Sequence, residues 1–107
     1  MATPLLCLST CPDAETATRI ARALVEERLA ACVNRLPGVQ SVYRWQDKVV
    51  DDAEVLLVVK TTSERFEALR DRLVELHPYE VPELVAIEVS GGHRAYLDWI
   101  AAETVPQ

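Results

Sequence analysis

Val39-Gln40-Ser41-Val42-Tyr43-Arg44-Trp45-Gln46 alternates with a period of two. Val39, Ser41, Tyr43 and Trp45 point one way and Gln40, Val42, Arg44 and Gln46 the other, as on a β-strand. A turn near Asp47 leads into a return strand whose most apolar part is Val55-Leu56-Leu57-Val58-Val59. The period-two region spans residues 32–60, so both arms exceed the usual five or six residues of a strand. Pro37-Gly38 interrupts the first arm and predicts a bend or bulge there. Such a hairpin overhangs its own domain. An overhanging edge with Tyr43 and Trp45 on it needs cover, or it invites uncontrolled pairing. Burial in an oligomer interface supplies that cover, with a local fold-back as the alternative.

On the amino-terminal side, Leu5-Leu6-Cys7-Leu8 forms a short strand ending at Ser9-Thr10-Cys11-Pro12. Asp13 is placed to cap a helix, in which Ala17, Ile20, Ala21, Leu24, Val25 and Leu29 recur at helical spacing. On the carboxyl-terminal side, Thr61 and Glu64 have capping-box spacing, and Phe66, Leu69, Leu73 and Leu76 form the apolar face of a second helix. His77-Pro78 stops it. Residues 84–90 read as a strand with Val85, Ile87 and Val89 on one face. Gly91-Gly92 breaks the chain before a short last helix carrying Tyr96, Trp99 and Ile100, whose Tyr and Trp are expected to seal it onto the sheet. The order β-α-β-β-α-β plus a helix is the ferredoxin-like arrangement: an α+β fold, four antiparallel strands, both crossover helices on one face.

One domain is the natural reading of 107 residues, with 50% hydrophobic content enough for a single core. The net charge of −6, with basic residues scattered, argues against nucleic-acid or anionic-membrane partners. No run approaches the roughly 18 apolar residues of a spanning helix, and Met1-Ala2-Thr3-Pro4 lacks the basic start of a secretory signal. Cys7, Cys11 and Cys32 are an odd number among apolar neighbours, which favours reduced thiols and a cytoplasmic setting. Cys32, between a helix and a strand, is expected to be buried and inert.

The candidate site begins with His77-Pro78-Tyr79-Glu80-Val81-Pro82-Glu83. Two prolines four residues apart stiffen this segment and hold an imidazole, a phenol and carboxylates in place. That suits a binding site or a subunit contact, while a loop of no special role carries equal weight. His77 at a helix end reads as a cap on the last carbonyls before it reads as a ligand. Lys60, at the end of an apolar strand, either snorkels into solvent or pairs with Glu83 or Glu80 across a cleft. Asp51-Asp52 with Glu54 resembles a hard-metal cluster, but neighbouring strand residues face opposite ways, so a solvated charged edge is expected. The strands that would carry an RNA-binding platform lack exposed aromatics. Cys7 and Cys11 lack the spacing of a two-thiolate metal grip, and no cysteine is brought to His77 or His93 as a nucleophile to its base.

Five ordered segments together resemble the CutA family of divalent-cation tolerance proteins: Ala30-Ala31-Cys32-Val33-Asn34, Ser41-Val42-Tyr43-Arg44-Trp45, Lys60-Thr61-Thr62, the His77–Glu83 run and Tyr96-Leu97-Asp98-Trp99-Ile100. The resemblance implies a ferredoxin-like subunit, a homotrimer in the cytoplasm and a link to copper and other divalent metals, and the leading reading is a protein that binds metal without being an enzyme. Tyr43 and Trp45 are expected at a subunit interface, because the hairpin is long and aromatics concentrate in interface cores, with core packing as the alternative; Lys60, Tyr79, Glu80 and Glu83 complete the candidate interface or cleft. Two departures follow. Asp47 stands where the family carries Gly, and Asp also accepts positive φ. At three positions proposed as copper ligands in a relative, this chain has Ser9, Leu76 and His77. His77, with Cys11 as a substitute thiolate, leaves at most two soft donors and implies weak copper binding. The trimeric PII signalling proteins, of the same general fold, offer a second reading: a regulator that senses a small anion between subunits.

Overall fold

The structure is a computed structural model that describes residues 2–106. Its elements run β1 (Pro4–Cys11), α1 (Ala14–Glu26), β2 (Cys32–Trp45), β3 (Lys48–Thr62), α2 (Phe66–Leu76), β4 (Val85–Glu88) and α3 (Arg94–Glu103). The strands form one antiparallel sheet in the order β2-β3-β1-β4. The α+β ferredoxin-like arrangement expected from the sequence is therefore the one observed.

Two faces of the sheet have different fates. Leu5, Cys7 and Cys11 of β1 and Val55, Leu57 and Val59 of β3 point to the helices. They close a core with Ala17, Ile20 and Leu24 of α1 and Leu69 and Leu73 of α2. Asp13 starts α1 by accepting the Thr16 N–H at 2.8 Å, the expected cap. The Thr61 capping box does not form. Thr61 is still in β3, its hydroxyl donates to the Leu29 carbonyl at 2.6 Å, and α2 begins after Arg65 with no side-chain cap. Val25, expected in the core, is exposed, because α1 ends one residue later and its buried stripe stops at Leu24.

The opposite face is covered only in part. Leu6 pairs with Lys60 and Ile87, and Leu8 with Val58 and Val85. Val85 and Ile87 remain about half exposed. Strand β4 is only four residues long, shorter than the expected 84–90, although the Val89 N–H still donates to the Pro4 carbonyl. Helix α3 is anchored by Ile100 and Thr104 rather than by its aromatic residues. Tyr96 and Trp99 stack on each other at 5.6 Å between centroids and are each 41% exposed. Aromatic bulk is the wrong signal there, because the aliphatic Ile100 lies on the stripe that meets the sheet.

The hairpin of β2 and β3 projects beyond this body and gives the subunit dimensions of 43 × 27 × 22 Å. Its register shifts between Leu36 and Val39, a bulge at Pro37-Gly38 as expected, with Gly38 at φ 79°. Beyond the bulge Val39 faces Glu54, Ser41 faces Asp52, Tyr43 faces Val50 and Trp45 faces Lys48. The tip is a tight turn with Gln46 at φ 50° and Asp47 at φ 63°. Asp47 thus takes the left-handed conformation that a Gly would take at that position.

Candidate functional site

The chain after α2 has to return along the sheet to reach β4. Residues 78–83 do so beside the end of β1, where the shorter β4 leaves room. The Ser9 hydroxyl donates to the Glu83 carbonyl at 2.7 Å, and the Thr10 hydroxyl reaches the Glu83 carboxylate at 3.4 Å. Ser9, one of the two departures from the proposed ligand set, thereby pins the loop to the sheet.

His77 is the second pin. It is 7% exposed. One ring nitrogen, Nε2, lies 2.7 Å from the Thr10 carbonyl, and the other, Nδ1, accepts the Tyr79 N–H at 3.1 Å. A carbonyl can only accept, so the ring carries its proton on Nε2. Both nitrogens are engaged. Cys11 is fully buried on the helix-facing side, where burial, with Glu54 and Asp13 nearby, pushes its thiol up to about 11. The copper pair drawn from the sequence, His77 with Cys11, is therefore not assembled as a pair of free donors. The residues present do not fit a copper centre. Among the described residues no three His, Cys, Asp or Glu side chains cluster as a metal site.

Between this loop and the hairpin lies a cavity of about 780 Å³. Tyr43, Trp45, Tyr79, Glu80 and Glu83, five of the six residues expected at an interface or cleft, line it. Lys60 does not. Its ammonium donates to Asn34 Oδ1 and lies 3.9 Å from Cys32 Sγ. Lys60 faces Leu6, whereas Glu83 is held at Ser9 and Thr10, further along β1, so of the two readings of Lys60 the pairing with Glu80 or Glu83 is not made. Cys32 is half-buried rather than buried, because the open sheet face at Lys60 is only partly covered.

Glu54 also lines the cavity, and sequence reasoning missed it. It is 7% exposed, not part of a solvated edge. The parity of β3 carried part of the signal: positions 52, 54, 56, 58 and 60 share one face, so Glu54 continues the row of Leu56 and Val58, while Asp51 faces the other way and Asp52, on the same face, stays exposed nearer the tip. Tyr79 Oη donates to Glu54 Oε2 at 2.9 Å, and burial together with this carboxylate holds the phenol well above its ordinary range. Tyr43 Oη donates to Asp52 Oδ2 at 2.6 Å, which likewise raises its phenol. No Lys or Arg lines the cavity among the described residues. Its walls are aromatic, prolyl and acidic.

A ferredoxin-like α+β subunit whose middle hairpin outgrows its sheet, with a Pro-stiffened loop closing a cleft beneath it, is the class these features define. The pattern of the CutA1 divalent ion tolerance protein family matches residues 5–103, and the chain belongs to that family. The divalent-cation tolerance protein CutA of Thermus thermophilus is 57% identical over 97 residues, 91% of this chain and 94% of that one. Protein CutA of Homo sapiens is 47% identical over 95 residues, 89% of this chain but 53% of that one, so the chain spans about half its length. The crystal structure of CutA from Xylella fastidiosa has a TM-score of 0.94 at 48% identity, over 96% of this chain and 99% of that one.

Proposed function

We propose that this chain works as a homotrimer in divalent-cation tolerance, by binding rather than by catalysis, in the cytoplasm. The observation that carries the reading is the projecting hairpin. It holds Tyr43 and Trp45 at 38% and 40% exposure, and Val42 and Val49 at 68% each, on a two-stranded arm whose outer half contributes no residue to the core. Two strands alone are marginal in water. Threefold closure covers such arms and leaves no edge for further growth. Unpaired Cys7, Cys11 and Cys32 accord with a reducing compartment. No described helix is long and apolar enough to cross a membrane.

Metal contact, copper included, is weak in this reading, because no set of described side chains closes round an ion within the subunit. The anion-sensing alternative loses ground, since the cleft offers acidic groups and no cation. A thermal-shift series with copper, zinc, magnesium and nucleotides tests the reading. Small rises with divalent metals at high concentration and none with nucleotides are expected, because only a native-state ligand raises the midpoint. A saturating rise with a nucleotide would favour the anion sensor.

A further inference from the structure

Glu54 presents a problem of charge. It is 7% exposed, and no described Lys, Arg or His forms an ion pair with it. Buried carboxylates are otherwise paired, because desolvating a lone charge is costly. Only Oε2 has a hydrogen-bond partner, the Tyr79 phenol. Every fully occluded side-chain oxygen among the described residues is partnered. The second oxygen, Oε1, is therefore not fully occluded, and no described side chain or backbone N–H donates to it.

A group that pairs with this carboxylate brings a positive charge and an N–H. A divalent metal fits poorly, since no second and third ligand converge on Glu54 among the described residues. The rest of the lining specifies more: the rings of Tyr43, Trp45 and Tyr79 share the cavity with Pro78 and Pro82. Aromatic faces favour weakly hydrated, planar cations, and a guanidinium both stacks on a ring and donates to a carboxylate. At about 780 Å³ the cavity is within the usual range for a small organic ligand.

We propose that the cavity between the hairpin and residues 78–83 binds an alkylguanidinium-type organic cation, with Glu54 as its counter-charge and acceptor and Tyr43, Trp45 and Tyr79 as its walls. This goes beyond the tolerance reading and rests on it in one respect: threefold closure has to leave the cavity side of Tyr43 and Trp45 open.

Trp45 is a reporter inside the site, and Trp99→Phe silences the other indole. In that background, fluorescence is titrated with ethylguanidinium, with its neutral isostere ethylurea, and with tetramethylammonium, which has charge but no N–H. Mass is followed by light scattering in the same samples. Saturation with ethylguanidinium is expected, with ethylurea at least about tenfold weaker and tetramethylammonium intermediate. Glu54→Gln should weaken ethylguanidinium by about tenfold or more at unchanged mass, while Glu26→Gln, on the far helix, should not. No saturation, equal binding of ethylurea, or indifference to Glu54→Gln would overturn the proposal. A Glu54→Gln variant that loses mass while no cation saturates would also overturn it, by assigning the counter-charge to a second copy of the chain.

Discussion

The two halves of the central hairpin share strands and hydrogen-bond pattern, and both carry valines, yet only one is covered. In the inner half, Val55, Leu57 and Val59 lie under two helices and are at most 8% exposed. In the outer half, Val42 and Val49 are 68% exposed and the aromatic pair about 40%. Backbone pairing runs unbroken through both apart from one bulge. Ladder hydrogen bonds exchange for bonds to water at small net gain, so the inner half owes its stability to burial. The outer half lacks that burial within the chain, and the proposed trimer is what would supply it.

The largest expected effect sharpens this contrast through its two tryptophans, which are equally exposed at 40% and 41%. Loss of a buried Trp costs roughly 3–5 kcal/mol. If Trp45 is buried between subunits, Trp45→Ala incurs that cost three times per trimer and dissociates on dilution. Trp99→Ala, which removes only the stack on Tyr96, stays assembled. Sedimentation on dilution checks this, and the reverse order would put the interface at α3.

Second in size is His77→Ala, at the root of the hairpin's cleft. It strips the Thr10 carbonyl and the Tyr79 N–H of their partners, and such unmet groups cost about 1–3 kcal/mol each. Urea unfolding should show the loss, while copper affinity measured against a competing chelator stays unchanged. Lost copper binding at unchanged stability would restore the imidazole as a ligand.

The smallest effect is at the hairpin tip. Gln46 and Asp47 both hold positive φ without being Gly or Asn. Replacing them with Asn and Gly matches the turn and should stabilise by up to about 1 kcal/mol. That is a rise of a few degrees in melting temperature. A fall would mean that the Gln46 or Asp47 side chain itself makes the contact that covers the tip.

How much of the molecule is legible in its sequence differs by region. The alternation 39–46, the stop at His77-Pro78 and the bulge at Pro37-Gly38 depend on local geometry, and each is readable. So is the choice of Tyr43, Trp45, Tyr79, Glu80 and Glu83, from the long hairpin and the Pro-stiffened run, but not their meeting in one cavity. Contacts fixed by the third dimension are not. Thr61 resembles a cap because its spacing to Glu64 is right, but β3 runs two residues further than the apolar pattern suggests. Lys60 invites acidic partners that lie at another part of the sheet. His77 offers a ring with a free nitrogen until the end of β1 presents a carbonyl to it, and nothing local reveals that carbonyl. Glu54 shares its face with the exposed Asp52, and what sets it apart is Tyr79, a residue distant in sequence whose phenol reaches it.

Whether the outer hairpin is covered by copies of the same chain decides the rest. Light scattering coupled to size exclusion at micromolar concentration tests that directly. It should return three times the 11.9 kDa subunit mass; a mass of one subunit would leave the outer half uncovered and contradict the trimer.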